Sequence, residues 1–117
     1  MKAKFRRLNV WNDSLSLAKE VYQFTEFVRS ERKFYLSDQV NRAALSIVSN
    51  IAEGSDSGSD ASFCRYLNIA SGSLAEIRAQ LDLCKEVGLI DASTYQTLEL
   101  KATKIYFQIK ALKSSLN

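Results

Sequence analysis

The chain has 117 residues, of which 46% are hydrophobic and 25% charged, and its formal net charge is +3. A chain of this length suits one domain and can form a core without metal or disulfide support. It has no proline and only four glycines, which favours long helices over a β-sandwich or barrel with its frequent turns.

The first helix is predicted over residues 10–29, and Asn9 can cap its start. Its apolar residues recur every three or four positions, a spacing that is typical of one helical face. They are Leu8, Trp11, Leu15, Ala18, Tyr22, Thr25 and Val28. A charged run beginning at Ser30 marks the first connection.

The second helix is predicted over residues 38–53, with Ser37 as its N-cap and Asp38 in its first turn. Its apolar face comprises Val40, Ala44, Ile47 and Ile51. Gly54 is expected to end it, because glycine favours the left-handed conformation that follows a helix. The Gly- and Ser-rich segment 54–59 is predicted to be a flexible loop.

The third helix is predicted over residues 60–87, with Ser59 or Asp60 as its cap and Gly88 at its end. Its apolar face comprises Phe63, Leu67, Ala70, Leu74, Ile77, Leu81 and Cys84. This alternation of three and four residues is the pattern of left-handed helix packing.

The fourth helix is predicted over residues 92–116, opening at Asp91 after a short turn. The same spacing continues through Leu98, Ala102, Ile105, Ile109, Leu112 and Leu116. Short connections favour antiparallel neighbours. The sequence therefore predicts a single domain over residues 1–117, an all-α, antiparallel up-down-up-down four-helix bundle with a basic N-terminal tail at 1–7.

Several large apolar residues lie outside these faces, and one core cannot hold them all. They are Phe24, Phe27, Ile69, Leu83, Leu100 and Phe107. Exposed apolar clusters usually mark contact sites, so self-association is the favoured interpretation. The alternative is the wide apolar face of an ordinary bundle helix.

A line of polar residues follows the second and third helices. Its members are Gln39, Arg42, Ser46, Asn50, Glu53, Ser73 and Glu76. We interpret it as a hydrogen-bonded seam that sets helix register and partner choice, because polar groups are costly to bury unpaired. A solvated face is the alternative.

Basic residues are concentrated at both ends of the chain. Residues 1–7 and 101–117 contain four lysines or arginines each and no acidic residue. The candidate contacts to RNA or DNA are Lys4, Arg6, Arg7, Lys104, Lys110 and Lys113. The alternative is a solvated tail at one end and lysines that complement a helix dipole at the other.

The residues that most catalytic or metal sites require are missing. The chain has no histidine, the commonest general base and metal ligand at neutral pH. Cys64 and Cys84 are too far apart on one helix to pair or to form a zinc motif. We predict no enzymatic activity, no cofactor and no metal. Without a membrane span or a signal-peptide core, the expected location is the cytoplasm.

Three segments resemble a known family: LNVW from Leu8, QVNRAALSIVSNIAEG from Gln39, and FCRYLNIASGSLAEIRAQLDLCKEVGLI from Phe63. They are similar to the 23S rRNA intervening-sequence proteins, and the resemblance extends over residues 5–112. It implies a four-helix bundle that assembles as a homopentamer and acts together with nucleic acid. The family positions carried over are those of the polar line together with Gly54 and Gly72.

Two functions follow from these patterns. The first is a homo-oligomeric scaffold whose basic ends bind nucleic acid without sequence specificity, since phosphate contacts dominate when no element reads the bases. The second is an accessory module that binds a protein partner through its exposed aromatic residues and never contacts nucleic acid.

Overall fold

The computed structural model describes residues 3–117; Met1 and Lys2, part of the predicted basic tail, lie outside the described residues. A short 3-10 helix, Lys4–Arg7, precedes four α-helices. These are α1 (Asn9–Ser30), α2 (Phe34–Ser55), α3 (Asp60–Glu86) and α4 (Ala92–Leu116). Within residues 3–117, no helix is both long and apolar enough to cross a membrane.

The four helices form the predicted bundle. Each helix packs against the next in sequence, and α4 closes the arrangement by packing against α1. The molecule measures 43 × 25 × 20 Å, so its long axis follows the helices. Because the chain reverses direction at every turn, its two termini lie at one end of the bundle. The α1–α2 and α3–α4 turns lie at the other end.

The core confirms the predicted faces of three helices. All the predicted apolar positions of α2 and α3 are buried. In α4 the first four are buried, while Leu112 and Leu116 are partly buried against the core. The 3–4 spacing was sufficient here because each helix has only one face that is continuously apolar.

The face predicted for α1 was wrong at two of its seven residues, while the other five are buried or pack against the core. Leu15 and Tyr22 are 46% and 49% exposed. The buried face is turned by about one residue and comprises Val10, Ser14, Leu17, Val21, Phe24 and Val28, with Ala18 and Thr25 beside it. Phe24, expected outside the core, is therefore inside it. Ser14 is a polar residue on this buried face. Its hydroxyl donates to the Val10 carbonyl (2.7 Å), so its hydrogen-bonding requirement is met within the core.

The helix ends follow the prediction at three of six sites. Ser59 accepts from the Ser62 N–H, Asp91 caps α4, and Gly88 ends α3 at φ +75°. Asn9 is the first residue of α1 and not its cap, because Leu8 occupies the N-cap position. The other two errors concern α2, which is longer than expected at both ends.

The predicted limits of α2, Ser37 and Gly54, both lie inside the helix, which extends from Phe34 to Ser55. Ser37 is buried, and its hydroxyl donates to the Thr25 carbonyl of α1 (3.4 Å) rather than capping α2. Lys33 occupies the N-cap without a side-chain hydrogen bond. Tertiary contacts with α1 and α3 thus extend α2 beyond its local start and stop signals.

Candidate interaction surfaces

Near the start of α2, the polar line joins α2 to α3 by hydrogen bonds that involve charged side chains. Arg42 donates to Glu76 Oε2 (2.6 Å) across the two helices and to Gln39 Oε1 (3.2 Å from Nε, 3.1 Å from Nη2). Gln80 also donates to Glu76 Oε2 (3.2 Å), one turn along α3. Sequence reasoning did not select Gln80 as a site residue, although its i+4 spacing from Glu76 was a usable signal.

Further along α2, the polar line consists of neutral side chains. The hydroxyls of Ser46 and Ser73 lie 2.7 Å apart across the interface between α2 and α3. Asn50 Nδ2 donates to the carbonyl and to the hydroxyl of Ser46 (2.8 and 3.0 Å). Six of the predicted residues therefore form two hydrogen-bonded groups, Gln39–Arg42–Glu76 and Ser46–Ser73–Asn50, and each group links α2 to α3.

Glu53 and Gly54 do not join either group. Glu53 is exposed and lines a shallow depression together with Lys4 and Arg7 of the 3-10 helix. Gly54 is buried at the crossing of α2 and α3. A Cβ there would stand 2.7 Å from Tyr66 Cβ and 2.9 Å from Phe63 Cδ1. Glycine at 54 thus permits the close approach of the two helices; it does not end α2.

The side of α3 that carries Ile69, Gly72 and Leu83 is exposed, and Glu76 of the polar network lies on the same helical line. Gly72 is exposed, and a Cβ there would meet no atom within 4 Å. Ile69 precedes it by one turn and is 52% exposed, and Leu83 lies three turns further on at 51%. An exposed glycine in mid-helix lowers helix stability by about 1 kcal/mol relative to alanine, with no gain inside this chain.

Five of the six candidate nucleic-acid contacts lie towards the end of the bundle that carries both termini, whereas Lys104 lies in the middle of α4. Lys4, Arg6 and Arg7 form the 3-10 helix, which packs on α1 and α2. Lys110 and Lys113 lie in the last turns of α4. There, the terminal Asn117 Oδ1 lies 4.0 Å from Cys64 Sγ of α3. The cations therefore occupy two sides of one end.

Of the six candidate contacts, only Lys104 forms an ion pair within residues 3–117, with Asp13 of α1 (3.2 Å). The charge of Lys104 therefore joins α4 to α1 in the middle of the bundle. The other five cations have no acidic side chain within ion-pair distance in the described part of the chain. Two of them, Lys4 and Arg7, share a depression with the acidic residues Glu53 and Asp56.

A polar cluster near the α3–α4 turn holds those two helices together. Arg78 donates to Glu99 (2.7 Å), and this hydrogen bond raises the arginine pKa above its ordinary value. The Tyr95 hydroxyl donates to Asp82, which raises the tyrosine pKa above 10.0. Each donor has its acceptor on the neighbouring helix, so we assign the cluster to helix packing.

The two cysteines are both free. Cys84 is completely buried in the core, and burial raises the pKa of its thiol. Cys64 is half-buried near the C-terminus. Among residues 3–117, no group of three or more histidine, cysteine or acidic side chains is arranged to hold a metal ion.

These features define a class: antiparallel four-helix bundles whose helices are joined by a polar network and carry uncovered outer faces. The family model of the 23S rRNA-intervening sequence proteins matches residues 6–111. The chain belongs to that family, and the resemblance seen in the sequence is confirmed. No curated protein matches the chain.

A solved structure supports the same assignment. It is the crystal structure of a protein of unknown function from the S23 ribosomal protein family of Bacteroides thetaiotaomicron. The two chains are 28% identical, with a TM-score of 0.84 over 89% of this chain and 97% of the other. The fold is therefore that of a solved relative along almost its whole length.

Proposed function

We propose that this protein is a non-enzymatic scaffold that assembles with copies of itself and presents its basic end to nucleic acid. The observation that carries the proposal is the outward face of α3, where Gly72 lies open between the half-exposed Ile69 and Leu83. A glycine that is costly to its own helix is useful where a second backbone approaches closely.

The proposed assembly is a closed ring of five copies. A ring with an odd number of subunits requires two different patches that meet head to tail. The chain has a second apolar patch for this purpose, since Leu100 and Phe107 of α4 are 72% and 59% exposed and lie on one face, seven residues apart. The small α3 face would receive the larger side chains of the α4 face.

Sedimentation of the full chain tests the assembly. At micromolar concentration we expect a mass several times the 13.2 kDa of one chain. Gly72→Arg should release single folded chains by blocking the close approach, while Gln23→Arg, at an exposed position of α1, should leave the assembly intact. A native protein that sediments as one chain would contradict the proposal.

The basic end supports the second half of the proposal. Lys4, Arg6, Arg7, Lys110 and Lys113 have no ion-pair partner among residues 3–117 and lie at one end of the bundle. In a ring of parallel copies these charges would add up around one rim, and binding would gain from avidity. We expect binding that depends strongly on salt and weakly on sequence.

Reversing the charge of Arg6, Arg7, Lys110 and Lys113 together tests this end directly. In a gel shift at low salt, the native protein should retard duplex DNA or structured RNA, and the charge-reversed protein should not. The control reverses Lys19 and Lys85, which are exposed and lie outside the basic end, and it is matched to a variant that reverses only Lys110 and Lys113. If the native protein retards neither nucleic acid, the basic end has another partner.

The competing function is an accessory module for a protein partner. It predicts that a partner protein is captured equally well by the native and the charge-reversed chains. That result, combined with no retardation of nucleic acid, would replace the scaffold proposal.

A further inference from the structure

The α1–α2 turn carries exposed aromatic rings at the end of the bundle opposite the termini. Tyr35 is 79% exposed, Phe34 50% and Phe27 49%. Sequence reasoning overlooked Phe34 and Tyr35 because it assigned them to a connection, whereas they form the first turn of α2. None of the three rings belongs to the hydrophobic core. We call Phe27, Phe34 and Tyr35, with Arg29, Arg32 and Lys33, the aromatic tip.

Cations are interleaved with these rings. The guanidinium of Arg29 lies over the Phe34 ring, 5.2 Å from its centroid, and also contacts Asp38 (3.0 Å). Arg32 and Lys33 form no ion pair within residues 3–117 and are exposed. The segment 29–35 contains three cations and one acidic residue, so its local charge is positive.

The backbone conformation at Arg32 is the second unusual feature. Its φ is +61°, which makes it the only non-glycine residue with positive φ among the described residues. It closes α1, because the Arg32 N–H donates to the Arg29 carbonyl (2.9 Å) and the Lys33 N–H to the Val28 carbonyl (3.2 Å). Glycine would adopt this conformation without strain. A long cation is therefore held where the backbone favours glycine, which points to a use for the side chain.

We propose that the aromatic tip binds single-stranded nucleic acid. Unpaired bases stack on exposed aromatic rings, and nearby cations attract the phosphates; this combination binds single strands with little dependence on sequence. A duplex fits poorly, because its bases already stack on one another. The 22 residues of α1 separate the tip from the basic end by about 33 Å. The site is thus distinct from the basic end and does not depend on it.

The test is the fluorescence anisotropy of a labelled oligothymidine or oligouridine of about 15 nucleotides, a length on the scale of known single-strand sites. The full-length protein is compared with the double variant Phe34→Ala/Tyr35→Ala. We expect affinity for the single strand to fall about tenfold or more, as the loss of base stacking requires. Phe34→Tyr/Tyr35→Phe keeps both rings and should restore binding. The control Tyr22→Ala removes a half-exposed ring of α1 that lies outside the tip and outside both proposed assembly faces, and it should bind as the native protein does.

The two nucleic-acid sites are separated by their variants. The tip variant should retain the retardation of duplex nucleic acid at the basic end, and the protein with reversed charges at the basic end should retain single-strand binding at the tip. Cross-linking with an oligonucleotide containing 5-iodouracil should map to the peptide that includes Phe34 and Tyr35.

Three results would overturn the proposal. They are no single-strand binding by the native protein at low salt, unchanged affinity after both rings are removed, and cross-links confined to the basic end. Circular dichroism of each variant checks that the bundle is folded. If the tip instead binds anionic lipid vesicles and no oligonucleotide, it is a membrane contact and this inference is wrong.

Discussion

Two of the glycines lie inside helices, yet their surroundings are opposite. At Gly54 a side chain would collide with Tyr66 and Phe63, whereas at Gly72 it would meet nothing within 4 Å. The sequence predicted Gly54 to end α2 and placed Gly72 inside α3, but it did not indicate how close a neighbouring helix comes to either glycine. The packing of a single chain explains why residue 54 is glycine but does not explain why residue 72 is glycine. Gly72 is therefore the residue on which the proposed contact of the α3 face with a second copy depends.

The two positions should respond differently to alanine. Gly54→Ala should destabilise the protein by about 1–3 kcal/mol, because the new Cβ overpacks the crossing of α2 and α3. Gly72→Ala should stabilise an isolated chain by about 0.5–1 kcal/mol through helix propensity. Urea unfolding, at dilutions where each variant sediments as a single chain, measures both effects. Equal effects of the two changes would contradict this assignment.

Residue type also misled the prediction at α1. The sequence placed Leu15 and Tyr22 on the core face of α1. The structure selects the neighbouring face because the Ser14 hydroxyl is satisfied by its own helix and Leu17, Val21 and Phe24 pack inward. Two apolar faces one residue apart have nearly the same periodicity, so the choice depends on the neighbouring helices.

At the scale of helices, α4 begins at a cap that should make stability depend on pH. The Thr94 N–H donates to Asp91 Oδ1 (2.7 Å), and this bond lowers the Asp91 pKa below its ordinary value of 3.8. A lowered pKa in the folded state means that the stabilisation is complete above the ordinary pKa. It is lost as the pH falls through the lowered value.

Asp91→Asn should therefore flatten the acid side of the stability profile. Asparagine can still accept the capping hydrogen bond but does not titrate. The measurement is the urea midpoint of native and variant protein from pH 5 to about pH 2, a range that spans the carboxylate titration. Parallel curves for the two proteins would rule out a titrating cap at Asp91.

The polar network between α2 and α3 should show coupling at Ser46 and Ser73. Replacing either serine with alanine leaves a partly buried hydroxyl without its partner, whereas replacing both removes the pair. A double-mutant cycle should give a coupling energy of about 0.5–1 kcal/mol in urea unfolding. Ser46→Ala should also be the costlier single change, because Asn50 donates to the same hydroxyl.

Ser115 supplies the control for this cycle. Its hydroxyl donates to the Leu112 carbonyl of its own helix and lies outside the network. The pair Ser46→Ala and Ser115→Ala should be additive within about 0.3–0.5 kcal/mol. Coupling of similar size in both cycles would mean that the Ser46–Ser73 contact is not specific.

At the scale of the whole molecule, the up-down topology brings the two basic termini to one end and the aromatic tip to the other. Such a molecule has two distinct ends and several uncovered apolar faces along its sides. Side-by-side assembly would cover the faces and leave both ends open, which is the arrangement that the proposed scaffold needs.

Assembly should make stability depend on protein concentration. If folding and association are coupled, the unfolding free energy per chain should rise by about 1 kcal/mol for each tenfold increase in concentration. Urea midpoints at several concentrations measure this, with Gly72→Arg as the variant that should lose the dependence. A midpoint independent of concentration in the native protein would indicate a chain that is stable alone.

The sequence by itself determined the helical class, the number and order of the helices, and the core faces of α2, α3 and α4. It could do so because those patterns are local and each helix has a single continuous apolar face. It also grouped Arg42, Ser46 and Asn50 with Ser73 and Glu76, since helical spacing places each set on one line. Only the tertiary structure decided the buried face of α1, the length of α2 and the different roles of Gly54 and Gly72. Those features depend on how closely neighbouring helices approach, and residue spacing within one helix carries no information about that distance.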